Sequence, residues 1–296
     1  MSPNPLLRQL GLNDNDRAVI FHADDIGMCQ ASVMAYRELV EFGLLSSAAA
    51  MTPCPWFPHA AATALTFSPQ PDLGVHLTLT SEWDNYRWGP LSTRDTRTGL
   101  LDAAGYFHRT SQAVQAQADP SEVYQEAVSQ VQKALDAGVD VTHIDSHMGS
   151  VFHPRLIVPY LRVAQQFRIP ALLARYDATQ LQAMGFEERA AANLSRQMLT
   201  LEEQGVPILD SINGLWLDKP DNRLEQAQEL LDSLGAGVHY FIVHPSVDTP
   251  ELRAIAPDWQ ARVEDYQLFL NPVWREYVQA SGVHVLGWRA IRDAGR

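Results

Sequence analysis

The chain has 296 residues, 46% of them hydrophobic, and a formal net charge of −13. That acidity repels phosphate backbones and no basic cluster offsets it, so neither nucleic acid nor an anionic membrane surface is an expected partner. No run of about 18 uncharged apolar residues is present, which excludes a membrane-spanning helix. The N-terminus lacks the basic and apolar regions of a signal peptide. The two cysteines, Cys29 and Cys54, have no metal-site spacing and suit a reducing, cytoplasmic setting.

In chain order, residues 1–16 read as a loose extension, and RAVIFHA (17–23) reads as the first strand, followed by two acids and Gly27. Val33, Met34, Ala35, Leu39 and Val40 recur about one turn apart and predict a helix that Gly43 ends. LLSSAAAM (44–51) reads as a strand, residues 60–65 as a helix, and DLGVHLTLT (72–80) as a strand. A polar and aromatic loop covers residues 81–110; loops beyond about 15 residues in a compact domain are usually functional. Asp119, Pro120 and Glu122 make a capping-box-like start to a helix with Val123, Ala127, Val131, Ala134 and Leu135 on one face. After it come a strand at 140–145, a helix at 155–168, a strand at 170–175 (PALLAR) and a helical region at 178–204. The chain closes with VPILD (206–210), a helix at 221–234, GVHYFIV (237–243), a helix at 258–280 and VHVLG (283–287).

This alternation of about eight strands with helices, without a linker, repeat or composition break, predicts an α/β fold with a parallel sheet. A single irregular (β/α) barrel over residues 17–296 accommodates it better than two domains. In such barrels chemistry gathers at the C-terminal ends of the strands. Those ends are rich in ligating and titratable groups: His22, Asp24 and Asp25; His76; HIDSH (143–147); and His244. Each has an ordinary alternative. An Asp pair before a helix is commonly an N-cap, and a lone strand histidine usually packs in the core. His22, His239 and His284 are assigned to packing, and His59, His108 and His153 to solvated positions. HIDSH is more specific, because two imidazoles four residues apart can turn toward one point while Asp145 orients an imidazole. The recurrence of such groups at several strand ends argues for a shared site.

The stretches HADDIGM (22–28), GLLSSAAAM (43–51), DLGVHLTLT (72–80), THIDSHMG (142–149), IVHPS (242–246) and LGWRAIRD (286–293) together resemble the YdjC-like carbohydrate deacetylases. The order matches over nearly the whole chain. Position 26 is Ile where Phe is usual, and MGSVFHP follows HIDSH in place of further histidines. The resemblance implies an irregular TIM-like (β/α) barrel of the glycoside hydrolase/deacetylase type, often dimeric. It also implies one divalent metal ion, zinc or magnesium foremost, held by Asp25, His76 and His147. Asp24 falls at the general base, His244 at the general acid, and His143 at a position that lines or supports the site. The implied substrate is an N-acetylated sugar or oligosaccharide. On that reading, Trp83, Tyr86 and Trp88 would stack on sugar faces, or else pack the loop onto the barrel, and Arg175 would stand at the mouth. Arg292 and Asp293 are expected to form a structural ion pair. Two other readings stand beside this one: a phosphoesterase or amidohydrolase on the same frame, and a non-catalytic carbohydrate-binding protein. The missing Arg/Lys clamp weakens the phosphoesterase; the retained Asp24 and His244 weaken the binding protein.

Overall fold

Strand β1, Arg17–Ile26, is buried along all but its first residue, as a strand must be when both faces meet other elements. In the computed structural model, which describes residues 3–183 and 186–295, six more strands follow. They are β2 (Ser47–Ala50), β3 (Leu73–Leu77), β4 (Val141–Ser146), β5 (Ser211–Gly214), β6 (Gly237–Val243) and the two-residue β7 (His284–Val285). Every ladder is parallel, in the order β4-β3-β2-β1-β6-β5, with β7 paired to the start of β1. Two isolated bridges close the circle: Ile144 of β4 to Ala171, and Ala174 to Leu209 just ahead of β5. The result is an irregular TIM-like (β/α) barrel.

Alternation along β1 sorts its side chains. Val19 and Phe21 point outward into a cluster with Leu231, Phe269 and Trp274 from the surrounding helices. Ala18 and Ile20 point inward, where Leu172, Leu209, Tyr240 and Trp288 plug the N-terminal end of the barrel. Leu6 and Leu7 belong to the same plug. They sit on a short helix, Pro5–Gln9, and the Asn4 side chain bonds to the Ile208 carbonyl and to Asp210. The segment expected as a loose extension is therefore packed, because its two leucines close the barrel floor.

Three expected strands come out differently. Residues 170–175 and 206–210 contribute bridges, not regular strands, and β5 begins only at Ser211. VHVLG is strand for two residues only. The helix expected over 258–280 is two helices, Trp259–Phe269 and Pro272–Ala280, because Pro272 cannot continue the first and the Asn271 side chain caps the second.

One irregularity shapes the mouth. Between Ala23 and Ile26, β1 advances three residues while β2 advances two, from Ala48 to Ala50. This bulge lies at Asp24 and Asp25, and Asp25 takes a left-handed φ of 62°. That conformation costs a non-glycine residue roughly 1–2 kcal/mol. A regular strand would send adjacent side chains to opposite faces. The bulge brings both carboxylates to one side.

Candidate active site

The two acids are not helix caps. The following helix starts at Gln30 with Cys29 before it, and both carboxylates are buried at the C-terminal mouth of the barrel. Asp25 Oδ1 lies 3.0 Å from His147 Nδ1 and 3.4 Å from His76 Nε2. These three ligand atoms fall within 4.8 Å of one another. Asp25 Oδ1 is buried and accepts no well-directed hydrogen bond among the described residues. Its other oxygen accepts one from Arg262 at 2.7 Å.

Each imidazole is oriented from behind. His76 donates from Nδ1 to Asp145 Oδ1 at 2.8 Å, which leaves Nε2 facing Asp25. His147 Nε2 stands 3.2 Å from both oxygens of Glu82, which leaves Nδ1 facing inward. Carboxylates behind imidazoles fix the tautomer and ring direction at metal sites. One carboxylate and two imidazoles leave coordination positions open, as catalytic metal sites do. The donor set thus fits a divalent ion. A second buried group, His22, His143 and Asp145, lies deeper in the barrel.

Asp24 sits beside this group. Its Oδ2 is 3.7 Å from His76 Nε2 and 3.8 Å from His244 Nε2, and its Oδ1 is 3.2 Å from His22 Nε2. The same His22 nitrogen is 3.1 Å from Asp145 Oδ2, which also accepts a hydrogen bond from Tyr240. His22, assigned to packing from sequence, is therefore the link between Asp24 and Asp145. Its spacing of two residues from Asp24 on one strand face was the available signal. Arg262 was missed as well; it lies 237 residues from Asp25 in the chain, and nothing local marks it.

Burial opposes charge at each of these groups, and the neighbours outweigh it at Asp25, Asp145 and His147. Burial raises Asp25, but His147 and Arg262 hold its carboxyl well below the usual range. Burial likewise works against Asp145, yet His76 and His22 keep it low. Against the same burial, Glu82 and Asp25 push His147 up to about 9. At His244 burial prevails over the attraction of Asp25 and Asp24 and lowers the pKa.

The structure thus brings Asp24, Asp25, His76, His147 and His244 together. Of the other expected residues, it buries His143, Trp83, Trp88 and Arg175 and half-buries Tyr86, although the Trp88 ring lies 6.4 Å from the His147 ring. His143 is fully buried below the site, stacked on Trp288 with ring centroids 5.0 Å apart and 5.1 Å from the His22 ring. It supports the site from beneath, out of a substrate's reach. Gly74 makes its room: a Cβ there would lie 2.4 Å from the His143 ring. Trp83 and Trp88 are 7% and 3% exposed, and both belong to the main core. Trp88 donates to the Thr80 carbonyl, Tyr86 to the Met28 carbonyl, and Trp83 carries the Arg262 guanidinium over its ring. Arg175 is buried between Glu202 and Asp210. His108 is buried too, bonded to the Gly99 carbonyl, not solvated. Arg292 does pair with Asp293, and also with Asp140.

The profile of the YdjC-like protein family matches residues 18–280. The chain belongs to the YdjC-like family. A relative from Thermus thermophilus named carbohydrate deacetylase is 34% identical over 289 residues, covering 98% of each chain. Another of that name, from Thermoanaerobacter pseudethanolicus, is 25% identical over 274 residues, covering 93% of this chain and 99% of its own. A solved structure from Enterococcus faecalis, described as a cellobiose-phosphate cleavage protein, superposes with a TM-score of 0.73 at 22% identity. It covers 93% of this chain and 99% of that one, and it corroborates the barrel. Among the described residues of this YdjC-like chain, no helix is long and apolar enough to cross a membrane.

Proposed function

We propose that this YdjC-like protein is a metal-dependent deacetylase that hydrolyses the N-acetyl group of an amino sugar or oligosaccharide. The observation that carries the reading is the clustering of Asp25 Oδ1, His76 Nε2 and His147 Nδ1, with Asp24 and His244 alongside. Family membership and two relatives named carbohydrate deacetylase support the same conclusion. Asp25, His76 and His147 would hold the metal, zinc or magnesium foremost. A divalent ion so held supplies Lewis acidity toward an amide carbonyl.

The rest falls to side chains. The reaction consumes one water and yields acetate and a free amine, so one proton leaves the attacking water and one reaches the departing nitrogen. Asp24 Oδ2 faces the cluster and takes the first; His22 at 3.2 Å holds the other oxygen in place. His244 delivers the second. Its backbone N–H bonds to Asp265, and its ring Nε2 stands 3.8 Å from Asp24 Oδ2. Asp145 holds His76, and Arg262 holds Asp25.

The test is acetate release from N-acetylglucosamine and chitooligosaccharides with zinc, magnesium, manganese, nickel or cobalt, in wild type and Asp24→Asn. Loss of the general base lowers kcat by about 10²–10⁴, with metal content unchanged. Activity within tenfold of wild type in Asp24→Asn removes Asp24 from the mechanism. Equal activity in chelated protein removes the metal.

A further inference from the structure

With Trp83 and Trp88 buried, and Tyr86 half-buried and bonded to the Met28 carbonyl, the site still needs a surface for the rest of its substrate. One large aromatic remains exposed beside it. Trp216, just beyond β5, is 70% exposed. It lines a groove of about 640 Å³ together with Ile212, Asn213, Asp218 and His244. That volume falls within the range of pockets built for small ligands, about 300–1,000 Å³.

A lone exposed apolar side chain is ordinary. Trp216 differs in how it is held. Its carbonyl accepts hydrogen bonds from the Lys219 N–H and from Arg223 Nη1, both at 3.1 Å. Arg223 is buried and pairs with Asp265 at 3.1 Å. Asp265 in turn accepts the His244 backbone N–H at 2.9 Å. Leu215, the residue before Trp216, is buried in the outer core. The backbone at Trp216 and the backbone at His244 are therefore tied to one buried ion pair, which sets the two residues relative to each other along the groove.

We propose that this groove is a second sugar subsite, with Trp216 as the platform on which a neighbouring ring stacks while the acetylated ring is at His244. The inference rests on the deacetylase reading for the ring at His244. Sugars offer a flat C–H face edged by hydroxyls, so they match an indole flanked by an amide and a carboxylate. Asn213 and Asp218 supply those edge partners. The adjoining cavity, of about 420 Å³, shares Ile212 but is walled chiefly by apolar residues such as Phe152, Leu173 and Met198, and suits hydroxyls less.

The test compares N-acetylglucosamine with its β-1,4-linked disaccharide on metal-loaded wild type, Trp216→Ala and Trp216→Phe. One arm measures kcat/KM for acetate release, and the other measures disaccharide Kd by calorimetry. In Trp216→Ala the ratio of disaccharide to monosaccharide kcat/KM falls roughly tenfold, the order expected of one aromatic stack. Disaccharide Kd weakens to the same extent, and Trp216→Phe recovers most of both. An unchanged ratio with unchanged Kd overturns the subsite and leaves the deacetylase standing. Trp216-dependent disaccharide binding without acetate release sustains the subsite and sinks the deacetylase. A disaccharide that neither binds nor turns over overturns the subsite.

Discussion

The two sides of the barrel mouth are built differently. On the β1–β3–β4 side, Asp24, Asp25, His76 and His147 are buried, and each is held by at least one other side chain. On the β5 side the barrel closes through isolated bridges, β5 is only half-buried, and Trp216 stands in solvent. Fixing a charge in a low-dielectric site needs partners on every face. Holding a sugar ring needs one flat surface and a few polar edges. The tightly determined side suits chemistry, and the open side suits substrate choice.

The sharpest way to break this contrast is thermodynamic. Trp88→Ala removes a core aromatic and should destabilise the fold by about 3–5 kcal/mol. Trp216→Ala should stay within about 0.5 kcal/mol, as for an exposed position. Urea unfolding midpoints measure both; similar losses would erase the distinction between packed and open aromatics.

Asp145→Asn probes the held side. Carboxylates that orient metal-bound imidazoles typically account for about 10–100-fold in metal affinity. Competition with a chelator should show zinc binding weakened by that factor. Unchanged affinity would mean that His76 needs no orientation from behind. The same substitution should leave the Trp216 groove's disaccharide Kd within twofold.

A smaller effect follows from pH. His147 is pushed up to about 9 in the folded protein, against an ordinary value of about 6.5. A raised histidine pKa means that the folded state holds the proton more tightly. Its contribution to the stability of metal-free protein is complete below about pH 6.5 and is lost as pH rises through about 9. Ligation needs the neutral ring, so zinc affinity should rise across that window. Zinc titrations from about pH 6.5 to about pH 9 that show flat affinity would take His147 out of the ligand set.

Much of the site was legible in the chain because it obeys a topological rule. Asp24, Asp25, His76, His147 and His244 follow strand-like segments, and parallel barrel strands end at one mouth. The helix break at Asn271-Pro272 was passed over in the expected single helix at 258–280, although Asn caps and Pro opens helices. Burial of the loop aromatics was not legible. Nothing in SEWDNYRW says whether an indole faces solvent or the core, because that depends on the helices and strands that later cover it. His22 was misjudged, and His143 was left between lining and supporting the site, for the same reason: a strand histidine looks alike whether it packs, bridges two carboxylates or stacks on Trp288.

By itself the sequence determined the α/β class, the order of elements and the identity of the groups at the strand ends, since these depend on local periodicity and spacing. Only the tertiary structure decided which of those groups meet. The one-residue bulge in β1 turns both aspartates to one side. Closure of the barrel brings Arg262 onto Asp25 and buries Trp83 and Trp88. It also leaves Trp216 as the exposed ring beside His244. Contacts between residues more than two hundred positions apart carry no local signature, and the fold had to bring them together before their chemistry could be seen.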